Sequence, residues 1–484
     1  MTVTAGTTAD LRRRRDDVVD ADLVELRLDT VSDPNVAGAL AGRTRPVIVT
    51  CRPTWEGGRF SGSEEERHRI LREAIALGAE FVDVEWRAGF GDLIASTAGR
   101  RIVLSAHHYD GIPADLAAEV QAMRSTGAEV AKIAVETRRL SDCVPLRDLG
   151  AQAGREGRLV LVGMGESGLA TRVLAARFGS RWTYAGEIGG VGQVTPGDMT
   201  SLYRFRSIGE ATALYGLVGM PVAHSVSPAM HNAAFEATHS DAVYLPLPAA
   251  DADDFVRFAR AFGLRGASVT IPFKVALFDR VDEVYSTARR VGAINTIRMV
   301  DGRWTAENTD VTGFIEPLRG RVALEGIRAA VLGAGGAARA AAVALGSSGA
   351  SVRVHARDER RAAEVAGLVG GASTGPWPLE PGSWDLLVNC TPVGMHPRAR
   401  ETPVPAAALT GRAVYDLVYN PPVTQLLREA AQAGCLTING LEMLVAQARQ
   451  QFQWWTDARP PAGVMREAAL RRLAEFMRDE DYVV

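Results

Sequence analysis

The chain has 484 residues, 47% hydrophobic and 23% charged, which exceeds what one hydrophobic core supports and predicts two or three soluble domains. A net charge of −3 gives no footprint for nucleic acid or an acidic membrane, and the run Arg12–Arg15, met at once by Asp16 and Asp17, reads as a solvated helix face. Four widely spaced cysteines without a CxxC pair argue against disulfides and metal, and with no apolar membrane-length run and no signal-peptide core the expected location is cytoplasmic.

Through residues 1–208, β-rich runs alternate with helical stretches, at 2–5, 23–28, 47–52, 81–85, 102–106, 130–135, 159–164 and 182–185. Eight such runs in βαβα order predict a closed parallel (β/α)8 barrel. The first run is short and poor in bulky residues, so seven strands with a ragged start is the alternative. Period-two alternation puts Val24, Leu26 and Leu28 on one face and Glu25, Arg27 and Asp29 on the other. Val82 and Val84 oppose Asp83 and Glu85, Ile102 and Leu104 oppose Ser105 and His107, and Ala131 and Ile133 oppose Lys132. Helices cover a barrel's outside, so the charged faces belong inside, towards the C-terminal mouth where barrel enzymes work.

Lys132 is the group with most chemical potential there. An ordinary ammonium is inert at neutral pH, but desolvation and nearby guanidinium groups (Arg27, Arg52 and Arg172 are candidates) are expected to lower its pKa. The freed amine can form a Schiff base with a ketone, and His107 can move protons on the imine. Arg27 taken alone reads as a structural ion pair. His108 points away from His107 and reads as structural.

These residues resemble type I 3-dehydroquinate dehydratases. The likeness rests on Val24-Glu25-Leu26-Arg27-Leu28-Asp29, Arg52 with Glu56-Gly57-Gly58, Ser105-Ala106-His107, Gly127 to Ala134, Met164-Gly165 with Arg172, and Phe178-Gly179-Ser180. It implies that Lys132 forms the imine and that His107 carries the protons of a syn elimination of water. It also implies that Glu25, Arg27, Arg52, Glu56 and Arg172 bind substrate, Arg172 through its carboxylate, and that Gln193 matches a lid-loop glutamine. Gly189-Gly190-Val191-Gly192-Gln193 departs from the usual serine-bearing run.

A new strand at 215–219 opens a second half, expected at 213–484. His224-Ser225-Val226-Ser227-Pro228 then starts a helix; one serine suffices as N-cap, and the other suits either a cap or a carboxylate at the helix end. Further on, the strand 329–332 runs into Gly333-Ala334-Gly335-Gly336-Ala337-Ala338 and an Ala-rich helix, a dinucleotide fingerprint in its strand–turn–helix context. The next strand ends in Ala356-Arg357-Asp358-Glu359-Arg360-Arg361. Arg357 and Arg361 suit a 2′-phosphate and favour NADP; Asp358 is the residue that speaks for NAD. Lys274, near Asn295 and Asp310, can donate a proton to a ketone as hydride arrives.

This half resembles shikimate dehydrogenase. The serine pair, Val269 to Lys274, Gly292 to Thr296, Asn308-Thr309-Asp310, Asp416 to Pro421 and Asn439 to Gln447 occur in that family's order. The likeness implies a Lys274–Asp310 catalytic dyad, a ring substrate held by Ser225, Ser227, Thr270, Asn295, Tyr419 and Gln447, and no metal. It implies a cofactor lined by Gly333, Ala334, Gly335, Gly336, Ala337, Ala356, Arg357, Arg361, Leu417 and Gly440. A substrate lobe at 213–318 plus 440–484 and an NADP lobe at 319–439 follow. Ser268 stands where asparagine is common, and Ala356-Arg357-Asp358 where Asn-Arg-Thr is common. The whole chain thus reads as a bifunctional enzyme taking 3-dehydroquinate to 3-dehydroshikimate and then to shikimate. The alternatives are a quinate/shikimate dehydrogenase using NAD in a catabolic direction, and a non-catalytic ligand sensor that kept both pockets.

Overall fold

A computed structural model describes residues 1–186, 192–376 and 379–480. The chain divides into two compact units, one of residues 1–212 with 248–262, the other of 213–247 with 263–484.

The first unit is built on a curled parallel sheet. Its strands are β1 (Thr2–Val3), β2 (Val24–Arg27), β3 (Val47–Thr50), β4 (Phe81–Glu85), β5 (Ile102–His108), β6 (Val130–Glu136) and β7 (Leu159–Met164), paired in sequence order. The expected eighth run forms no regular ladder. Instead Arg181 N–H donates to Leu159 O (2.8 Å) and Thr2 N–H donates to Ala185 O (2.9 Å), so this stretch bridges the last strand and the first. The ragged element is therefore the last, not the first, because a run as short as β1 is held by parallel pairing of Thr2 with Glu25 and Val3 with Leu26.

Inward positions are layered. Ile48, Val103, Val130 and Val160 form a buried apolar floor. Two residues further along the same strands come Thr50, Ser105, Lys132 and Val162, so the polar groups sit one layer nearer the C-terminal ends. A buried apolar floor beneath Lys132 raises the cost of leaving its charge unpaired. The unit also takes in the helix Ala252–Phe262, whose buried Asp254 accepts from the N–H groups of Leu140 (3.1 Å) and Ser141 (2.9 Å).

The second unit holds two six-stranded sheets. One contains β8 (Ala213–Gly219), β9 (Ala242–Pro248), β10 (Gly266–Val269), β11 (Glu283–Val284), β12 (Thr296–Val300) and β13 (Arg303–Glu307), in the order β11-β13-β12-β10-β8-β9. The other contains β14 (Arg328–Leu332), β15 (Ser351–His355), β16 (Ser373–Thr374), β17 (Leu386–Asn389), β18 (Ala413–Asp416) and β19 (Leu436–Asn439). Its pairs are all parallel, in the order β16-β15-β14-β17-β18-β19, which is the doubly wound dinucleotide arrangement with its switch point between β14 and β17. The β14 run Ala329–Leu332 is wholly buried because helices cover both faces of such a sheet. The helix Gly336–Ser347 buries Ala338 and Ala340 to Leu345, small side chains that let it lie close on the strands.

Candidate active sites

A cavity of about 1010 Å³ at the barrel mouth is lined by Glu25, Arg27, Arg52, His107, Lys132, Arg172 and Gln193. Sequence alternation had marked most of these side chains; their partners are set by the fold. Lys132 Nζ lies 3.0 Å from Asp83 Oδ2 and 3.9 Å from Glu25 Oε1, under the ring of Tyr184 at 4.5 Å. Burial by itself lowers the Lys132 pKa, but Asp83, Tyr184 and Glu25 outweigh it and hold the ammonium above the usual lysine value. The expected depression is thus reversed, because period-two reasoning placed the arginines nearby without counting the carboxylates on the same layer. Arg27 is taken by Asp29 in a two-pronged pair (2.8 and 2.7 Å), and Arg52 pairs with Asp83 at 3.1 Å. Neither guanidinium is left to bear on Lys132 alone.

His107 is the complementary group. Burial pushes its pKa well below the ordinary value, and Arg52, Lys132 and Arg27 add to this, so the ring is neutral. Arg52 Nη1 lies against both ring nitrogens, 2.5 Å from Nδ1 and 2.6 Å from Nε2, and a cation that close disfavours a second positive charge on the imidazole. Glu56 accepts from the His107 N–H at 2.8 Å and lies 3.3 Å from Nδ1. The structure therefore makes Glu56 a hydrogen-bond partner of His107. Burial raises the Glu56 carboxyl above its usual range. His108 faces away and meets Glu119 at 2.9 Å. Arg172 is buried, donates to Gly163 O at 2.5 Å, and is lowered to about 10 by burial. Gln193 lines the cavity, whereas Gly189, Gly190 and Val191 lie outside the described residues.

Asp83, Ser105 and Tyr184 also belong to this site; alternation placed the first two on the inward face without giving them a role. Asp83 accepts from Lys132 (3.0 Å) and Ser105 Oγ (2.6 Å); burial alone would raise its carboxyl, but Lys132 and Arg52 hold it down. Its alternation with Val82 and Val84 was the available signal. Tyr184 had none, since it lies on the stretch without ladder pairing.

In the second unit Lys274 Nζ meets Asp310 Oδ2 at 2.5 Å. Asn295 Nδ2 donates to Asp310 Oδ1 (2.8 Å), to Thr309 Oγ1 (2.9 Å) and to Gln447 Oε1 (3.3 Å). Four predicted residues thus form one cluster, with Thr309 added. Ser225 and Tyr419 form a second group through a hydrogen bond between their side chains. The helix starts at Ser227 with Pro228 in its first turn, and neither serine caps it in the usual way; Ser225 Oγ accepts instead from Ser227 N–H at 3.2 Å. Thr270 follows β10, with its methyl against Gly219.

The nucleotide turn lies beside this cluster. Gly333 has φ +110°, open to glycine and strained for other residues, and a Cβ on Gly336 would stand 3.0 Å from Lys274 Cδ. A backbone that close to the lysine, at a helix N-terminus with spare N–H groups, fits a dinucleotide pyrophosphate. Gly440 packs against Leu417, where a Cβ would stand 2.2 Å from its carbonyl oxygen, so those two expected lining residues adjoin. Arg357 and Arg361 are exposed after β15. Asp358 caps the helix Glu359–Ala366, accepting from Arg361 N–H at 3.2 Å. The one side chain that spoke for NAD has this local structural duty.

Comparison with known proteins finds relatives for both halves of the chain. The model "Type I 3-dehydroquinase" matches residues 1–210, and two shikimate dehydrogenase models, for the substrate-binding and C-terminal domains, match 217–297 and 440–470. A bifunctional 3-dehydroquinate dehydratase/shikimate dehydrogenase of Arabidopsis thaliana, chloroplastic by name, is 36% identical over 479 residues, covering 91% of this chain and 78% of that protein. The chain belongs to this bifunctional family. A shikimate dehydrogenase (NADP(+)) of Symbiobacterium thermophilum is 45% identical over 278 residues, covering 54% of this chain and 94% of that protein. The Thermus thermophilus shikimate 5-dehydrogenase, solved with NADP(H) and shikimate, is 38% identical with a TM-score of 0.50, over 54% of this chain and 99% of that one. Among the described residues, no His, Cys, Asp or Glu cluster could hold a metal ion and no helix is long and apolar enough to cross a membrane.

Proposed function

We propose that the chain catalyses two consecutive reactions, dehydration of 3-dehydroquinate to 3-dehydroshikimate in the barrel and NADP-dependent reduction of that product to shikimate in the second unit. The observation that carries this reading is that each half holds one lysine in a carboxylate pair inside a site, Lys132 with Asp83 and Lys274 with Asp310.

In the barrel the resting lysine is an ammonium and the resting histidine a neutral base, so attack on a ketone requires one proton to leave Lys132 first. His107, two residues further along β5 than the Ser105 that pairs with Lys132, is the neutral base that lines the same cavity. The amine then adds to the carbonyl carbon, and His107 passes the proton it took to the carbinolamine hydroxyl, which leaves as water; this returns His107 to its neutral form and leaves an iminium that makes the adjacent C–H acidic. His107 takes that proton, the neighbouring hydroxyl leaves as water with a proton returned by His107, and hydrolysis of the imine restores Lys132. Glu56 holds the His107 backbone at the strand end throughout, and Arg172 is the guanidinium offered to the substrate carboxylate.

In the second unit Lys274, held by Asp310, donates its proton to the forming alkoxide, while Asn295 orients Asp310 and Ser225, Tyr419 and Gln447 hold the ring substrate. NADPH supplies a hydride when bound. Gly333 to Ala337, Ala356, Leu417 and Gly440 would hold the dinucleotide, with Arg357 and Arg361 on its 2′-phosphate. A dehydratase domain at 1–208, a dehydrogenase domain at 213–484 and a cytoplasmic location complete the proposal; the four free cysteines support the last. The test is to mix the purified chain with 3-dehydroquinate and NADPH, following enone absorbance and NADPH loss. Both signals are expected in sequence, and absence of either removes the corresponding half of the reading.

A further inference from the structure

Behind the Lys274–Asp310 pair runs a line of buried polar side chains. Tyr244 Oη donates to Ser268 Oγ (2.7 Å), and Ser268 Oγ donates to Gln451 Oε1 (2.7 Å). Gln451 Nε2 donates to Thr296 Oγ1 (2.8 Å), Thr296 Oγ1 to Asn295 Oδ1 (2.8 Å), and Asn295 Nδ2 to Asp310 Oδ1 (2.8 Å). Ser268 and Thr296 are cross-strand partners on β10 and β12. Tyr244, Gln451, Thr296 and Asn295 are all at most 2% exposed.

The direction of this line is fixed by backbone groups at two points. Gln451 Nε2 also donates to the Asn295 carbonyl (3.1 Å), which can only accept, so Oε1 must face Ser268. Ser268 has one proton and must give it to Gln451, so it accepts from Tyr244. At the other end the Thr309 N–H, which can only donate, reaches Asn295 Oδ1 at 2.8 Å. The Nδ2 of Asn295 therefore faces the Asp310 carboxylate, and Thr296 must donate to Oδ1. Gln451 holds Asn295 twice, directly at its carbonyl and through Thr296 at its amide.

We propose that Gln451 and Ser268 are positioning residues for the reduction, keeping the Asn295 amide turned so that an N–H, not an oxygen, meets Asp310. This rests on the reading of Lys274 and Asp310 as the proton-donating pair. With an N–H on one carboxylate oxygen, Asp310 presents its other oxygen to Lys274. An Asn295 turned the other way would set two acceptors against each other and pull the pair out of register with the substrate.

The test uses the full chain with 3-dehydroshikimate and NADPH. Gln451→Leu and Ser268→Ala are expected to lower kcat roughly tenfold or more while the KM for NADPH stays within about twofold, since a small misplacement near the reacting atoms costs rate rather than cofactor binding. Ser268→Thr, which restores a hydroxyl, should return kcat to near the unaltered value. The proposal is overturned if Gln451→Leu and Ser268→Ala keep their kcat, or if kcat falls and Ser268→Thr is no better than Ser268→Ala. If Gln451→Leu does not fold, judged by loss of NADPH binding, the two Ser268 variants decide by the same criteria. Unaltered chain that reduces nothing refutes the functional reading itself, a result distinct from unaltered activity in the variants.

Discussion

At the residue scale, the barrel lysine and histidine are held in opposite protonation states by one buried charge cluster. Borohydride added with 3-dehydroquinate should leave a stable adduct on Lys132, read by mass spectrometry; dehydration without an adduct there would refute the imine. His107→Ala should still give the adduct but lose about 10²–10⁴ in turnover. Asp83→Asn removes the neighbour that holds Lys132 charged, so burial prevails and adduct formation should extend to lower pH. That change also breaks buried pairs to Lys132 and Arg52, at a cost of about 3–5 kcal/mol in a denaturant titration. The depressed His107 works in the other direction for stability. Its folded value lies below the ordinary 6.5, so its contribution is full above that pH and is lost as pH falls towards the folded value. The unaltered chain is therefore expected to lose stability below pH 6.5, and His107→Gln to flatten that loss, read by denaturant titration across this range.

At the element scale, a helix cap and a cofactor preference meet at one turn. Asp358 caps the helix Glu359–Ala366, and replacing such a cap by alanine costs about 1 kcal/mol. Asp358→Ala should thus lower the melting temperature slightly and leave the preference for NADPH intact. Arg357→Ala should raise the KM for NADPH several-fold, leave that for NADH nearly unchanged, and move kcat little, because a remote phosphate contact is uniform binding. Equal harm to both cofactors would show that Arg357 does not read the 2′-phosphate.

At the scale of the whole molecule, the proposed domains and the compact units differ in one element. A cut between 208 and 212 leaves the helix Ala252–Phe262 on the dehydrogenase fragment, although it is compact with residues 1–212. The cut takes away the Leu140 and Ser141 N–H groups that Asp254 accepts from, the Arg147 donor to Ala261 O, and the ring of Phe178 that lies 5.6 Å from Phe262. Each fragment is expected to keep its own activity, with the dehydratase fragment, which loses this helix, melting several degrees lower than the same unit does in the full chain, as a loss of a few kcal/mol gives. Calorimetry and the two activity assays check this; two folded but inactive fragments would refute the boundary.

The sequence by itself determined on which strand, and on which face of it, the proposed site residues stand. Alternation is a local property of an extended chain, so Glu25, His107 and Lys132 could be assigned to the inward face from their neighbours alone. The glycine turn after β14 was equally legible, because its strand–turn–helix context is contiguous. Only the tertiary structure decided what those residues face. That Lys132 is held charged by Asp83, that Glu56 serves His107, and that Gln451 reaches Asn295 across 156 positions all depend on distances between separate strands and helices. The strength and sign of an electrostatic effect follow from such distances and from burial, and neither is written in local order.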